Sequence, residues 1–243
     1  MAGSPCPIEV MKKVNVLMNM RDIVIVYGQT ELSPGVTMTT VDDPLEKRVG
    51  TVGRAFPHTE IKIIDPNTKR ILPRGEVGEI CARGYMSMKC YYNNPSATRA
   101  TLDANGWLYT GDLGVMDEEG YVKMSGRLKE MVIRGGENIY PREIEEFLHH
   151  HPKISDAYVI GVPDERYGEE LMAWVATKPG MTLKPDEIIS FCNGQIARYK
   201  IPKYYKFVTE FPMSVTGKIQ KFKMQKMAIE ELGLEADSKI ETA

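Results

Sequence analysis

The sequence predicts an α/β segment, then a small β-barrel or curled sheet, then an α+β segment. Three observations lead there. Residues 22–27 form one β-branched apolar run suited to a strand buried on both faces of a parallel sheet. From residue 50 to residue 124, short strand patterns alternate with turns rich in Pro, Asn and Gly. Beyond Lys129, amphipathic helical patterns begin to alternate with strands. With 243 residues and 42% hydrophobic side chains, the chain can build the core of one large or two small domains.

The elements follow in order. Ser4-Pro5 precede an amphipathic pattern over 8–14, which predicts a loop and then a helix. The run 22–27 ends at Gly28, and a single βαβ piece cannot cover its own faces, so this sheet is expected to continue in elements upstream of Met1. Short strands are predicted at 59–64, 78–82, 113–116 and 121–124, with turns at 66–67, 73–76 and 117–120. Tyr91, Tyr92 and Trp107 read as a packed wall rather than a base-stacking platform, because the charges around them are not predominantly basic. A strand over 130–134 leads to a helix opened by Pro141, with Glu143, Glu145 and Glu146 in its first turns and Ile144, Phe147 and Leu148 on one face. Pro152 stops it. Strands at 154–162, 171–177 and 203–208, a helix at 186–197 and a basic helix at 221–232 complete the chain, with Lys221, Lys223 and Lys226 read as a solvated face.

Composition excludes several classes. The net charge is −2 with both signs spread along the chain, which predicts no nucleic-acid partner and no polybasic membrane patch. Cys6, Cys81, Cys90 and Cys192 lack metal-ligand spacing and read as reduced structural thiols, and His149-His150-His151 read as a helix end. No apolar run approaches the ~20 residues of a membrane span.

The chemistry gathers in residues 107–141. Asp112 is expected on a turn formed by Tyr109-Thr110-Gly111-Asp112, where an ionised carboxylate could accept hydrogen bonds from both hydroxyls of a ribose. Arg127, after a strand that ends in glycine, could reach the same ribose or a phosphate with its planar fork. Taken singly, Asp112 as a plain turn former and Arg127 as a surface charge are the alternatives. Yet the Thr-Gly-Asp turn, a hairpin, the run Gly126-Arg127-Leu128-Lys129-Glu130 and the pair Gly135-Gly136 follow without a gap. That order resembles the hinge region of the acyl-adenylate-forming superfamily of acyl-CoA synthetases, luciferases and adenylation domains. Nearly the whole chain is similar to the medium-chain acyl-CoA synthetase family member 2 group.

The resemblance implies a fold and a set of roles. The fold would be the last part of a large adenylate-forming domain, at 1–127, divided into partial α/β (1–45) and barrel-like β structure (46–127). A small mobile α+β domain at 128–235 and a tail at 236–243 would follow. Asp112 and Arg127 would bind ATP. Tyr27-Gly28-Gln29-Thr30-Glu31 resembles the family's YGxTE motif: Tyr27 and Gly28 would lie at adenine, Thr30 at the α-phosphate, and Glu31 would hold Mg²⁺. Gly3-Ser4-Pro5 matches the adenine-side loop, with Ser4 where Ala is commoner. Lys129 would be the pivot between two half-reactions, and Gly135-Gly136 would line the passage of the CoA thiol arm.

The segment 212–218 ends on Gly217-Lys218, and most lysines in such turns are solvated. By resemblance to the family's PxxxxGK segment, Lys218 would be catalytic, bridging the acid carboxylate and the α-phosphate. The implied activity is a fatty acid–CoA ligase that uses ATP and Mg²⁺ to make acyl-AMP and then the CoA thioester. Close relatives of this type are mitochondrial, which implies the same location. Neither the family's SGTTGxPK-type phosphate loop nor a Walker sequence occurs in the chain. Two readings stay open beside the leading one: a non-catalytic adenylate-binding or interaction module, and a luciferase-like or aryl acid ligase.

Overall fold

The computed structural model describes residues 2–3, 8–215 and 217–234, with the side chains of residues 8–10 left aside. The chain forms two compact units, divided between Leu128 and Lys129.

The first unit opens with helix α1 (Ile8–Leu17) and strand β1 (Val26–Tyr27). β2 (Thr37–Met38), helix α2 (Leu45–Gly50) and β3 (Arg54–Ala55) follow. Here the prediction needs correcting: the strand expected over 22–27 is confined to its last two residues. It pairs antiparallel with β2 in a sheet ordered β1-β2-β3. Among the described residues no parallel strand lies beside it, and a β-branched run without a neighbour on that edge has no ladder to hold it extended.

β4 (Thr59–Ile64), β5 (Gly78–Gly84), β6 (Leu108–Met116) and β7 (Val122–Arg127) make an antiparallel meander in sequence order, with helix α3 (Pro95–Thr101) inserted before β6. Pro95 at its first turn and Asn94, whose side chain accepts from the Ala97 N–H at 3.0 Å, explain where α3 starts. The free edge of β7 is partly capped, because Val122 exchanges backbone hydrogen bonds with Val52 and Gly53 at 2.8 and 2.9 Å. These bonds tie the last strand of the meander to the segment that leads into β3. Leu32, Val36, Ile63, Ile80, Leu108 and Val122 fill the core beneath it.

The second unit is α+β. β8 (Val132–Arg134) and β9 (Glu137–Ile139) form a hairpin, and helix α4 (Pro141–Leu148) follows with Pro141 in its first turn. β10 (Ile154–Asp164), β11 (Gly168–Thr177), helix α5 (Pro185–Cys192), β12 (Tyr204–Phe207) and helix α6 (Lys221–Leu232) complete it. β11 is the central strand: β10 lines one edge, while β8 meets the other at Gly168 and β12 pairs parallel with it from Met172 to Val175. Its side chains alternate between faces, as period two requires. Leu171, Ala173 and Val175 join the core under α4 and α5, while Met172 and Trp174 join Met224 and Ala228 of α6.

Three smaller expectations also change. Lys221 is not on a solvated face: its side chain is 15% exposed and its ammonium lies 2.6 Å from Glu145 and 3.3 Å from Glu130. Tyr92 is no part of a wall, being 91% exposed, whereas Trp107 is faced by Lys62 and Arg83 at 4.1 and 4.7 Å from its ring. Cys81 and Cys192 are buried but Cys90 is exposed, and Cys6 lies outside the described residues.

Candidate nucleotide site

The site grows from an irregularity in β6. Opposite β5, the pairs Cys81–Tyr109 and Glu79–Leu113 leave three residues of β6 facing one residue of β5. The predicted Thr-Gly-Asp turn is therefore a bulge inside a strand. Gly111 takes the left-handed region at φ 69°, open to glycine at no steric cost. The hydroxyl of Thr110 donates to the Ile80 carbonyl at 2.7 Å and accepts the Asp112 N–H at 3.1 Å. The Gly111 N–H donates to Glu79 Oε1 at 3.1 Å.

These bonds aim Asp112, which is nearly buried. Tyr27 Oη donates to Asp112 Oδ2 at 2.9 Å, joining two segments 85 residues apart. Arg127 stands directly opposite Asp112 across β6 and β7, with Nε 3.3 Å from Oδ1. Its side chain is 55% exposed, so the guanidinium borders solvent and contributes little to stability through this pair. Burial, and after it the charge of Asp112, pushes the Tyr27 hydroxyl far above the usual tyrosine range. The phenol thus stays a donor to the carboxylate. Only 8% of Tyr27 is exposed, so its first structural role is to hold Asp112.

The neighbouring loop is equally constrained. A Cβ on Gly28 would lie 2.0 Å from the Pro34 carbonyl oxygen, so only glycine fits where this backbone doubles back. Thr30 begins a three-residue 3₁₀ turn and is exposed, and Glu31 follows it. Glu31 Oε1 accepts from Tyr91 Oη at 2.7 Å, and among the described residues no Lys or Arg forms an ion pair with Glu31. One half-buried carboxylate fits a single ligand position of Mg²⁺, which keeps most of its own water and takes other oxygens from phosphates. Among the described residues no cluster of three or more His, Cys, Asp or Glu could hold a metal unaided. Gly3 is exposed with φ 91°, and Ser4 lies outside the described residues.

In the second unit, Lys218 closes a tight hairpin whose flanks bridge at Met213 and Ile219. The Lys218 N–H donates to Ser214 Oγ at 3.1 Å, the Ser214 N–H donates to the Lys218 carbonyl at 2.8 Å, and Gly217 has φ 77°. The lysine is exposed. Lys129 is also exposed, in the 3₁₀ turn Leu128–Glu130 where the two units divide. Gly135 and Gly136, at φ 60° and 87°, form the two-residue turn between β8 and β9, the backbone that a tight hairpin of right-handed twist requires. Gly135 donates to the Tyr167 carbonyl at 2.9 Å, and a Cβ there would meet the Tyr167 ring at 3.2 Å.

Sequence reasoning missed Glu79. This carboxylate is 3% exposed, holds the Gly111 N–H and lies 3.2 Å from Lys69 Nζ. A charged residue inside the apolar run 78–82 was the available signal, since a buried carboxylate requires partners.

The family model described as AMP-binding enzyme matches residues 1–92, and that described as AMP-binding enzyme C-terminal domain matches residues 143–218. A putative acyl-CoA synthetase, YngI, from Bacillus subtilis is 55% identical over 96% of this chain and 43% of its own length. A Danio rerio protein named medium-chain acyl-CoA ligase ACSF2, mitochondrial, is 47% identical over 96% of this chain and 38% of its own. The chain therefore spans less than half the length of these relatives. ATP-bound MatB from Rhodopseudomonas palustris superimposes with a TM-score of 0.89 at 33% identity, covering 95% of this chain and 45% of that one. Two separate segments match one enzyme group, and nearly the whole fold is shared with a member crystallised on ATP, so the chain belongs to the acyl-adenylate-forming family of AMP-binding enzymes.

Proposed function

We propose that this chain carries the ribose-binding and lysine-bearing parts of an acid–thiol ligase. Such an enzyme converts a carboxylic acid and ATP to acyl-AMP and pyrophosphate, and then passes the acyl group to the thiol of CoA. The observation that carries the proposal is the Tyr27–Asp112–Arg127 constellation: a buried donor fixes one oxygen of a carboxylate whose other oxygen faces an exposed guanidinium. Asp112 accepts from the ribose hydroxyls and Arg127 turns to the nucleotide, while Tyr27 and Gly28 lie beside adenine with Gly3, and Thr30 meets the α-phosphate. Glu31 would hold Mg²⁺, which would screen the phosphate charge during attack.

Lys218 neutralises the charge that gathers when the carboxylate attacks the α-phosphate. Lys129 is the pivot on which the second unit changes role between the half-reactions, and Gly135 and Gly136 leave room for the thiol arm of CoA. The names of the animal relatives support a medium-chain fatty acid as substrate and a mitochondrial location; the relative of higher identity is bacterial and its name specifies neither.

The test is acid-dependent release of pyrophosphate from ATP, followed by consumption of CoA, using fatty acids of graded length and a protein of the relatives' full length that contains this chain. Release with aliphatic acids supports the ligase, and release with aryl acids only would move the assignment to an aryl acid ligase. Binding of a stable acyl-AMP mimic without pyrophosphate release from any acid would overturn both in favour of a non-catalytic adenylate-binding module.

A further inference from the structure

Tyr91 lies outside every motif assigned a role above, yet its hydroxyl reaches 60 residues back along the chain to donate to Glu31 Oε1 at 2.7 Å. A second bond reinforces the contact, because the Met88 N–H donates to the Glu31 carbonyl at 2.8 Å. Tyr91 is itself held: its N–H donates to Thr98 Oγ1 at 3.0 Å, and that hydroxyl donates to the Asn94 carbonyl at 2.9 Å at the start of α3.

Glu31 sits in a 3₁₀ turn of three residues, and one such turn cannot orient a side chain with three rotatable bonds. The needed restraint comes from Tyr91. With one lone pair of Oε1 taken by the phenol, Oε2 is the oxygen with the greater acceptor capacity for a cation.

We propose that Tyr91 is a positioning residue that fixes the rotamer of Glu31, so that a divalent cation accompanying ATP meets one set carboxylate oxygen. The inference rests on the reading of Glu31 as the magnesium ligand. It assigns no contact between Tyr91 and substrate.

The test uses Mn²⁺ as the probe, with its binding to the full chain in the presence of ATP read by electron paramagnetic resonance. Wild type, Tyr91→Phe, Glu31→Gln and the control Tyr92→Phe are compared, and thermal melting shows that each is folded. Outer-shell partners of metal ligands commonly account for 10–100-fold in affinity, so Tyr91→Phe is expected to raise the half-saturating Mn²⁺ concentration about 10-fold. Tyr92→Phe, altering a ring 91% exposed, should leave it unchanged. If Glu31→Gln weakens binding and Tyr91→Phe does not, the inference about Tyr91 fails while the metal assignment stands. If Glu31→Gln leaves binding unchanged, the metal assignment fails and this inference goes with it.

Discussion

The two lysine- and aspartate-bearing regions are built in opposite ways. Asp112 is nearly buried and set on a bulge that three hydrogen-bonded partners hold in shape. Lys218 stands exposed at the end of a short hairpin in which, among the described residues, Ser214 bonds to Gly217 and Lys218. A group that must recognise the same hydroxyls in every step gains from being fixed beforehand, because its orientation entropy is lost on folding and not on binding. A group needed in one step alone gains from a short solvated loop that costs little to move.

The largest effect should follow from removing the lysine. An ammonium about 4 Å from developing negative charge offsets roughly 4 kcal/mol at an effective dielectric of ~20, which is nearly three decades in rate. In a protein of full family length, Lys218→Ala should therefore depress pyrophosphate release by about that factor and spare thioester formation from supplied acyl-AMP. Thermal melting of the chain should not move, since the side chain is exposed. Equal loss in both half-reactions would erase the contrast between a fixed and a mobile group.

Next in size is Asp112→Asn. Hydrogen bonds to a charged partner are each worth about 1.5–3 kcal/mol, so AMP binding to the chain, followed by calorimetric titration, should weaken by roughly 10- to 100-fold. Unaltered AMP affinity would dissolve the ribose assignment.

A third prediction compares two glycines. Alanine at Gly28 must push a Cβ against the Pro34 carbonyl at 2.0 Å, and this overpacking should cost about 1–3 kcal/mol in urea unfolding. Gly217 has nothing within 4 Å of such a Cβ and only its φ of 77° to lose, so Gly217→Ala should cost about 1 kcal/mol. Similar costs at both positions would mean that the loop around Gly28 yields as readily as the lysine hairpin.

The smallest effect concerns pH. Tyr27 is held protonated above its ordinary value of 10.0 by burial and then by Asp112, whereas in the unfolded chain it ionises near 10. Its contribution to stability is fully present below about pH 10 and is lost as pH rises beyond it. Tyr27→Phe should therefore show a shallower decline of unfolding free energy between about pH 10 and 11 than wild type. An identical slope would mean that the phenol does not need its proton to remain in the fold.

What was legible in the residues is local or shared with a family. The start of α4 at Pro141, the strand over 59–64 and the helix over 221–232 emerge where read, since proline geometry and apolar periodicity act within a few residues. The order of Gly111-Asp112, Arg127 and Gly217-Lys218 was enough to nominate the nucleotide-binding groups. Other features depend on partners far along the chain, and no local pattern contains them. Residues 22–25 are extended only if a neighbouring strand supplies hydrogen bonds, and Lys221 leaves solvent only because Glu145 and Glu130 arrive beside it. The bulge that aims Asp112, the Tyr27 hydroxyl that holds it and the Glu79 carboxylate beneath Gly111 were decided by tertiary structure in the same way. Each depends on a hydrogen-bond counterpart 30 or more positions away, and the energy that selects it exists only once the chain has brought the two together.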